Sequence, residues 1–301
     1  MLLERSAAID AANKYGSTAL MLASQNGHDA TVKQLLERGA ANGYNATVKQ
    51  LLERGAAVDA ADKYGSTALI FASQNGHDAT VKQLLERSAA VDAADKYGST
   101  ALILASQNGH DATVKQLLER GAAVDAADKD GSTALMRASQ NGHDATVKQL
   151  LERGAAVDAA NKYSSTALMH ASQNGHDATV KQLLERGAAV DAANKYSSTA
   201  LMRASQNGHD ATVKQLLERG AAVDAANKDG STALIRASQN GHNATLLERG
   251  AAVDAADKDG STALIRASQN GHDATVKQLL ERGTAVDAAD KYGSTALIRA
   301  S

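Results

Sequence analysis

The chain has 301 residues and a formal net charge of −2, and it contains neither cysteine nor tryptophan. The lack of cysteine excludes disulfides, thiolate metal sites and cysteine nucleophiles, and the excess of Asp and Glu over Lys and Arg offers no overall basic field for a nucleic acid. No apolar run approaches the roughly 18 residues of a membrane span, and the N-terminus lacks a signal-peptide hydrophobic segment, so we expect a cytoplasmic protein without a membrane partner.

A repeated segment dominates the sequence. The motif Ser-Thr-Ala-Leu returns at a fixed spacing, and its threonine stands at Thr67, Thr100, Thr133, Thr166, Thr199 and Thr232. A fixed period of this length is typical of an array of stacked units, each of which contacts only its neighbours. The sequence therefore predicts one array over residues 1–301 rather than several globular domains.

The period divides the array in chain order. We expect a partial repeat at 1–12, an irregular repeat plus a half repeat without hairpin and first helix at 13–61, five regular repeats at 62–226, a repeat with a shortened second helix at 227–256, a regular repeat at 257–289 and a partial repeat at 290–301. The truncated segments at 39–55 and 242–249 predict a local weakness or bend. Both ends of the array lack a polar capping repeat.

Each repeat begins with a short helix, which the pattern predicts at 66–75 in the repeat that starts at Asp62. Leu69, Ala72 and Ser73 are spaced as i, i+3, i+4 and form its packing face. Gly76 then ends the helix.

A second helix is predicted at 78–87. Val81, Leu84 and Leu85 form its buried stripe, while Asp78, Lys82 and Glu86 lie four residues apart on a polar face and can pair. Residues 89–97 are predicted to be a loop that ends in a turn at Gly98. One unit cannot bury its apolar stripe alone, so stacking of units forms the core.

These motifs resemble the ankyrin repeat over nearly the whole chain: the Ser-Thr-Ala-Leu start, Asn-Gly-His between the helices, the later Leu-Leu, and Gly-Ala-Ala-Val-Asp-Ala. The resemblance implies an all-α fold, a solenoid of stacked antiparallel helix pairs with projecting hairpin loops. It also implies protein binding through the hairpin tips and a concave groove. Proline, which the family favours after the first threonine, is absent; alanine, a good helix former, stands there.

One position varies in chemistry while its surroundings do not. It lies two residues after the Leu of the motif, about 200° around the helix from that Leu, and we call it the ladder position. Its residues are Leu22, Phe71, Leu104, Arg137, His170, Arg203, Arg236, Arg266 and Arg299. One interpretation is a groove for a partner with an apolar end and an acidic stretch. The other is a solvated helix face that has drifted among duplicated units.

The hairpin tips form a second candidate surface. Each tip has a lysine followed by tyrosine or aspartate; the second residue is Tyr15, Tyr64, Tyr97, Asp130, Tyr163, Tyr196, Asp229, Asp259 or Tyr292. Exposed tyrosines are common anchors of protein interfaces, and we take Tyr64 and Tyr97 as candidate partner contacts. The alternatives are a tyrosine that packs on the neighbouring tip and a lysine row that is merely solvated.

Eight histidines follow a glycine, from His28 to His272, and one in each unit indicates a structural role beside a loop. A metal site needs ligands clustered in space, which this pattern does not offer, and no cofactor motif is present. Asp, Ser and His recur in every unit, and no unit carries its own acid–base or nucleophile cluster. We therefore expect no enzyme activity, no metal and no cofactor.

Four functions remain open. The first is a scaffold that binds a protein or peptide partner with the ladder and the tips. The second is a structural or self-associating segment of a larger protein, as a monomer or with weak end-to-end association. A nucleic-acid binder fits poorly, since aromatic stacking platforms are sparse, and an expansion of repeats without a selected partner is the last.

Overall fold

The computed structural model of the chain describes residues 10–37 and 57–300. Within these residues the protein consists of short helices joined by loops and turns, with no strand and five isolated bridges. The helices are α1 (Ala19–Gln25), α2 (Asp29–Glu37), α3 (Ala68–Gln74), α4 (Asp78–Glu86), α5 (Ala101–Gln107), α6 (Asp111–Glu119), α7 (Ala134–Asn141), α8 (Asp144–Glu152), α9 (Ala167–Asn174), α10 (Asp177–Glu185), α11 (Ala200–Gln206), α12 (Asp210–Glu218), α13 (Ala233–Asn240), α14 (Ala244–Glu248), α15 (Ala263–Gln269), α16 (Asp273–Glu281) and α17 (Ala296–Ala300). The all-α fold expected from the sequence is confirmed.

Odd-numbered helices are the first helix of each repeat and even-numbered helices the second. Where the contacts are described, a first helix packs on its own second helix and on the first helices of neighbouring repeats in the same unit, as α3 packs on α4, α1 and α5. None of the helices in the described residues is long and apolar enough to cross a membrane. In the described residues the core therefore lies between stacked helix pairs.

The first helix begins where a threonine caps it. Thr67 is extended, and its Oγ1 accepts a hydrogen bond from the amide of Ile70 at 3.3 Å, which satisfies one of the free amides of a helix N-terminus. The helix ends at Gln74, because Asn75 leaves helical geometry and Gly76 is left-handed, with φ of +68°. The observed bounds lie one or two residues inside the predicted 66–75.

The core of each repeat is small and tightly enclosed. Leu69, Ala72 and Ser73 are at most 1% exposed, as their spacing predicts. Ile70 is also buried, at 2%, although it lies outside the i, i+3, i+4 face. The first helix has its own second helix on one side and first helices of other repeats on two others, so more than one face is covered.

The second helix buries the stripe that its sequence predicts, with Val81, Leu84 and Leu85 at most 5% exposed. Its carboxyl end is bound by the next repeat: Arg120 Nη1 donates to the carbonyl of Leu85 at 3.0 Å. The carboxylate of Asp78 also faces the next repeat, since Thr113 Oγ1 donates to its Oδ1 at 2.6 Å. This carboxylate therefore stabilises stacking between repeats, whereas the sequence suggested pairing along its own helix.

The hairpins are stacked by backbone hydrogen bonds. Asp95 Oδ1 accepts from the amides of Tyr97 and Ser99, which closes the turn. The amide of Lys96 then donates to the carbonyl of Tyr64 in the preceding repeat at 2.7 Å. Neighbouring tips are thereby held in a fixed register.

The described residues form two compact units. The first comprises the residues up to 138 together with 145–156, and the second comprises 139–144 together with the residues from 157 onward.

Stacking in the first unit continues across the irregular part of the sequence. His77 Nε2 contacts the carbonyl of Gln25 at 3.0 Å although the two are 52 residues apart, whereas His110 makes the same contact to Gln74 over 36 residues. Thr80 likewise donates to Asp29. The repeats on either side of the irregular segment therefore bond to each other as regular neighbours do. The segment 39–55 lies outside the described residues, so the predicted weakness there stays a prediction.

The repeat at 227–256 has a second helix of only five residues, Ala244–Glu248, where the regular repeats have nine. Leu246 and Leu247 remain buried, at 1% and 3%. Asn243 occupies the place of the usual first-turn aspartate and accepts a hydrogen bond from Thr275 at 2.9 Å. The contact between repeats is thus kept, although the helix is shorter.

Candidate partner-binding surface

In the first unit the ladder position is apolar and partly accessible. Leu22 is 44% exposed, and Phe71 and Leu104 are half-buried, while their neighbours along the same helices are fully buried. Arg137 ends this row, and its side chain is 28% exposed. The row therefore offers apolar side chains that the core does not use.

In the second unit the ladder position is polar. His170, Arg203, Arg236, Arg266 and Arg299 are all half-buried. Because these residues occupy equivalent positions on the first helices of successive repeats, they lie on one face of the unit. The arginines of this row differ in their partners.

Three ladder arginines are paired within their own repeat. Arg137 Nη2 lies 2.6 Å from Asp128 Oδ2, Arg266 Nη2 lies 2.9 Å from Asp257 Oδ2, and Arg299 Nη2 lies 2.8 Å from Asp290 Oδ2. In each pair the aspartate stands nine residues earlier, at the base of the hairpin. These pairs neutralise much of the charge that the sequence assigned to the groove.

The pairs alter the acidity of the hairpin carboxylates. Burial by itself raises the pKa of Asp128, but the hydrogen bond from Arg137, the amides of Ser132 and Asp130 and the charge of Arg137 outweigh it and hold the pKa below its ordinary value. The pKa of Asp290 is likewise lowered, chiefly by the hydrogen bond from Arg299. Both carboxylates are therefore charged partners over the whole neutral range.

The remaining two arginines bond to neutral acceptors. Arg236 Nη1 donates to Gln206 Oε1 at 2.8 Å, and Arg203 donates to Gln173 Oε1 and to Ser165 Oγ. Burial and, after it, the positive charge of Arg236 lower the pKa of Arg203. No carboxylate forms an ion pair with either guanidinium in the part of the chain that the structure describes.

The tips combine an exposed tyrosine with a lysine from the next tip. Lys96 Nζ lies 3.9 Å from the ring centre of Tyr64, and Lys195 Nζ lies 4.0 Å from that of Tyr163. The two tyrosines remain 40% and 41% exposed, whereas Tyr97 is 60% exposed. The tip that follows Tyr97 has Asp130 in place of a tyrosine. The lysines are thus packed against aromatic rings, and the tyrosine side chains remain partly exposed.

The glycine–histidine pairs are structural where their contacts are described. The ring of His110 reaches back to Gln74, whose carbonyl also accepts from Asn108 Nδ2 at 3.0 Å. His272 contacts the carbonyl of Gln239 in the same way. No group of three potential metal ligands occurs among residues 10–37 and 57–300.

The pairing of ladder arginines with hairpin aspartates was missed by the sequence reasoning. Its signal was present: an aspartate or asparagine stands nine residues before every ladder residue. The separation crosses a turn and a helix cap, so it belongs to neither the helical nor the strand period.

Comparison with known proteins agrees with this architecture. A family profile described as "Ankyrin repeats (3 copies)" matches residues 38–128, 122–194, 188–255 and 243–301, and one described as "Ankyrin repeat" matches residues 15–43. None of the curated proteins compared with the chain matches it significantly.

Among solved structures, the crystal structure of the human ASB11 ankyrin repeat domain is similar to this chain. The match has a TM-score of 0.66 and 26% sequence identity, and it covers 77% of this chain and 98% of that domain. The period, the helix pairs and the family profiles therefore agree, and the chain belongs to the ankyrin-repeat family, whose members are generally protein–protein interaction modules.

Proposed function

We propose that the chain is a non-enzymatic scaffold that binds a protein or peptide partner through the ladder position and the hairpin tips. The observation that carries the proposal is a contrast within each repeat. Nearly identical residues make the contacts between repeats, whereas the ladder and tip residues change in chemistry from repeat to repeat and stay accessible. Positions that vary without loss of stacking are those that can discriminate partners.

The first unit supplies apolar contacts. Phe71 and Leu104 are half-buried in a row with the more exposed Leu22, and Tyr64 and Tyr97 are exposed at the tips. Aromatic and apolar side chains held in place by neighbours lose little entropy on binding, which favours them as anchors. The second unit supplies the polar counterpart, with Arg203 and Arg236 as its cations without carboxylate partners.

The experiment is a capture of partners from a lysate of the source organism, followed by mass spectrometry. One bait carries Phe71→Ser, Leu104→Ser, Arg203→Glu and Arg236→Glu. A control bait carries Lys82→Glu, Lys115→Glu, Lys181→Glu and Lys214→Glu, which reverses exposed charges on second helices. Circular dichroism checks that both remain helical.

We expect partners of the unmodified chain to be retained by the control bait and lost by the ladder bait. A partner list unchanged by the ladder substitutions would contradict the proposal.

A further inference from the structure

Arg203 and Arg236 differ from the other ladder arginines of the second unit, Arg266 and Arg299, in the residue that faces them from the hairpin. Arg266 and Arg299 have Asp257 and Asp290 nine residues earlier and pair with them. Nine residues before Arg203 and Arg236 stand Asn194 and Asn227. Asparagine keeps the turn but removes the negative charge.

The orientation of Asn227 follows from its backbone contacts. Its Oδ1 accepts from the amides of Asp229 and Ser231 at 2.9 and 2.8 Å, as Asp257 Oδ1 accepts from the two equivalent amides. The Nδ2 of Asn227 must then occupy the place that Asp257 Oδ2 uses to bind Arg266. A hydrogen-bond donor therefore faces the Arg236 side chain where the other repeat has an acceptor.

This donor is left without a partner. Asn227 is only 6% exposed, and its Nδ2 makes no hydrogen bond. A buried amide without an acceptor destabilises the folded chain, so a ligand that supplies the acceptor gains from its pairing. Arg236 beside it and Arg203 one repeat earlier supply two positive charges that no carboxylate of the described residues neutralises.

We propose that Asn227, Arg236 and Arg203 form a binding site for one carboxylate, the side chain of a glutamate or aspartate in an acidic peptide segment of the partner. One oxygen of the partner's carboxylate accepts a hydrogen bond from Asn227 Nδ2. The carboxylate also bridges the guanidinium groups of Arg203 and Arg236. Charge-assisted bonds of this kind are shorter and stronger than neutral ones. The inference rests on the proposed function, since it assumes that the ladder face meets a partner.

The site predicts an asymmetry among arginines that look alike in sequence. Arg266 and Arg299 already hold a carboxylate of their own chain, so an acidic residue of the partner should gain little there. The acidic residue of the partner is instead selected at the two repeats that combine a hairpin asparagine with a ladder arginine. Specificity then depends on the hairpin residue as much as on the ladder residue.

The test uses the full chain and fluorescein-labelled hexaglutamate as the probe, with binding measured by fluorescence anisotropy. The key variant is Asn227→Asp, which installs the internal carboxylate that Asp257 provides in its own repeat and which that repeat shows to be compatible with the turn. The matched control is Asp257→Asn, which makes the opposite change at the equivalent position of the next repeat in the same unit. Hexaglutamine and hexathymidylate serve as the neutral and the nucleic-acid competitors.

We expect Asn227→Asp to weaken hexaglutamate binding at least tenfold, and Asp257→Asn to leave it unchanged or tighten it. Hexaglutamine should not compete. The proposal is overturned if hexaglutamate does not bind, if Asn227→Asp leaves its affinity unchanged, or if hexathymidylate competes as well as unlabelled hexaglutamate. These failures are distinct from failure of the scaffold proposal, because the lysate capture also depends on the apolar residues of the first unit.

Discussion

The imidazole of His110 lies against the backbone of Gly76 in the preceding repeat, so that a Cβ added to Gly76 would stand 2.5 Å from His110 Nδ1. The same glycine has a φ of +68°, a conformation that L side chains rarely adopt. Two independent effects thus exclude a side chain at this position.

We therefore expect Gly76→Ala to be more destabilising than an alanine that meets only the backbone strain. Gly121→Ala is the matched control, because Gly121 has a φ of +83° and nothing within 4 Å of an added Cβ. The control should lose roughly 1–2 kcal/mol, and Gly76→Ala roughly 1–3 kcal/mol more because of the contact with His110. Urea unfolding measures both, and equal losses would show that the histidine ring yields without cost.

A second prediction concerns the bond between Thr113 and Asp78. Thr113 is fully buried, and its hydroxyl donates to a carboxylate at 2.6 Å. We expect Thr113→Val to lose about 1–3 kcal/mol of unfolding free energy, since it leaves the charged acceptor without its donor. A double-mutant cycle with Asp78→Ala isolates the bond; a coupling energy of about 1 kcal/mol or more is expected, and simple additivity would refute it.

The Asp128–Arg137 pair predicts a pH dependence. The folded pKa of Asp128 lies below its ordinary value of 3.8, so the pair stabilises the protein fully above that value, and the contribution is lost as the pH falls through the folded pKa. Asp128→Asn should cost up to about 1 kcal/mol at pH 7, the range for a partly exposed pair. The difference between variant and unmodified chain should vanish on acidification.

Asp95→Asn provides the control for this experiment. Asp95 holds the same two turn amides, but the ladder residue of its repeat is Leu104, which offers no charge. Its substitution reports what loss of the turn carboxylate alone does to the pH dependence of unfolding, and Asp128→Asn should change that dependence more. If both variants altered the acid limb equally, the effect would come from the turn and not from the ion pair.

The short helix α14 predicts a local difference in hydrogen exchange. It has five residues where α8 has nine, so fewer of its amides are held by helical hydrogen bonds and local opening needs less free energy. We expect the amides around Leu246 to exchange faster than those around Leu150. Equal protection at the two leucines would show that burial of Leu246 and Leu247 compensates for the missing turn.

The fold could be predicted from sequence because the same information is repeated many times. Helix bounds of 66–75 and 78–87 agree with the observed Ala68–Gln74 and Asp78–Glu86 within two residues. The buried faces of both helices also follow from spacing. Ile70 could not be placed in the core this way, since its burial depends on neighbouring repeats and not on the period of its own helix.

The candidate surface could be predicted from the sequence only in part. The ladder position could be recognised from its variation, but the charge available there depends on contacts across a turn. Arg236 and Arg266 are equivalent by position, and only the hairpin residue, asparagine or aspartate, separates an arginine without a carboxylate from a neutralised one. Whether these residues bind a partner remains a prediction that the proposed measurements decide.

The hydrogen bonds described above between neighbouring repeats have the same direction. Within each unit a repeat donates from its threonine, histidine and arginine side chains to carboxylate and carbonyl oxygens of the repeat before it. Each repeat thus presents the same acceptors to the repeat after it. We expect that removing or adding a segment of one full period leaves each of these donors opposite an acceptor, so that an array of different length still folds. The join between the repeats at Asp29 and Thr80 shows that this compatibility also holds for repeats that are not consecutive in the regular period.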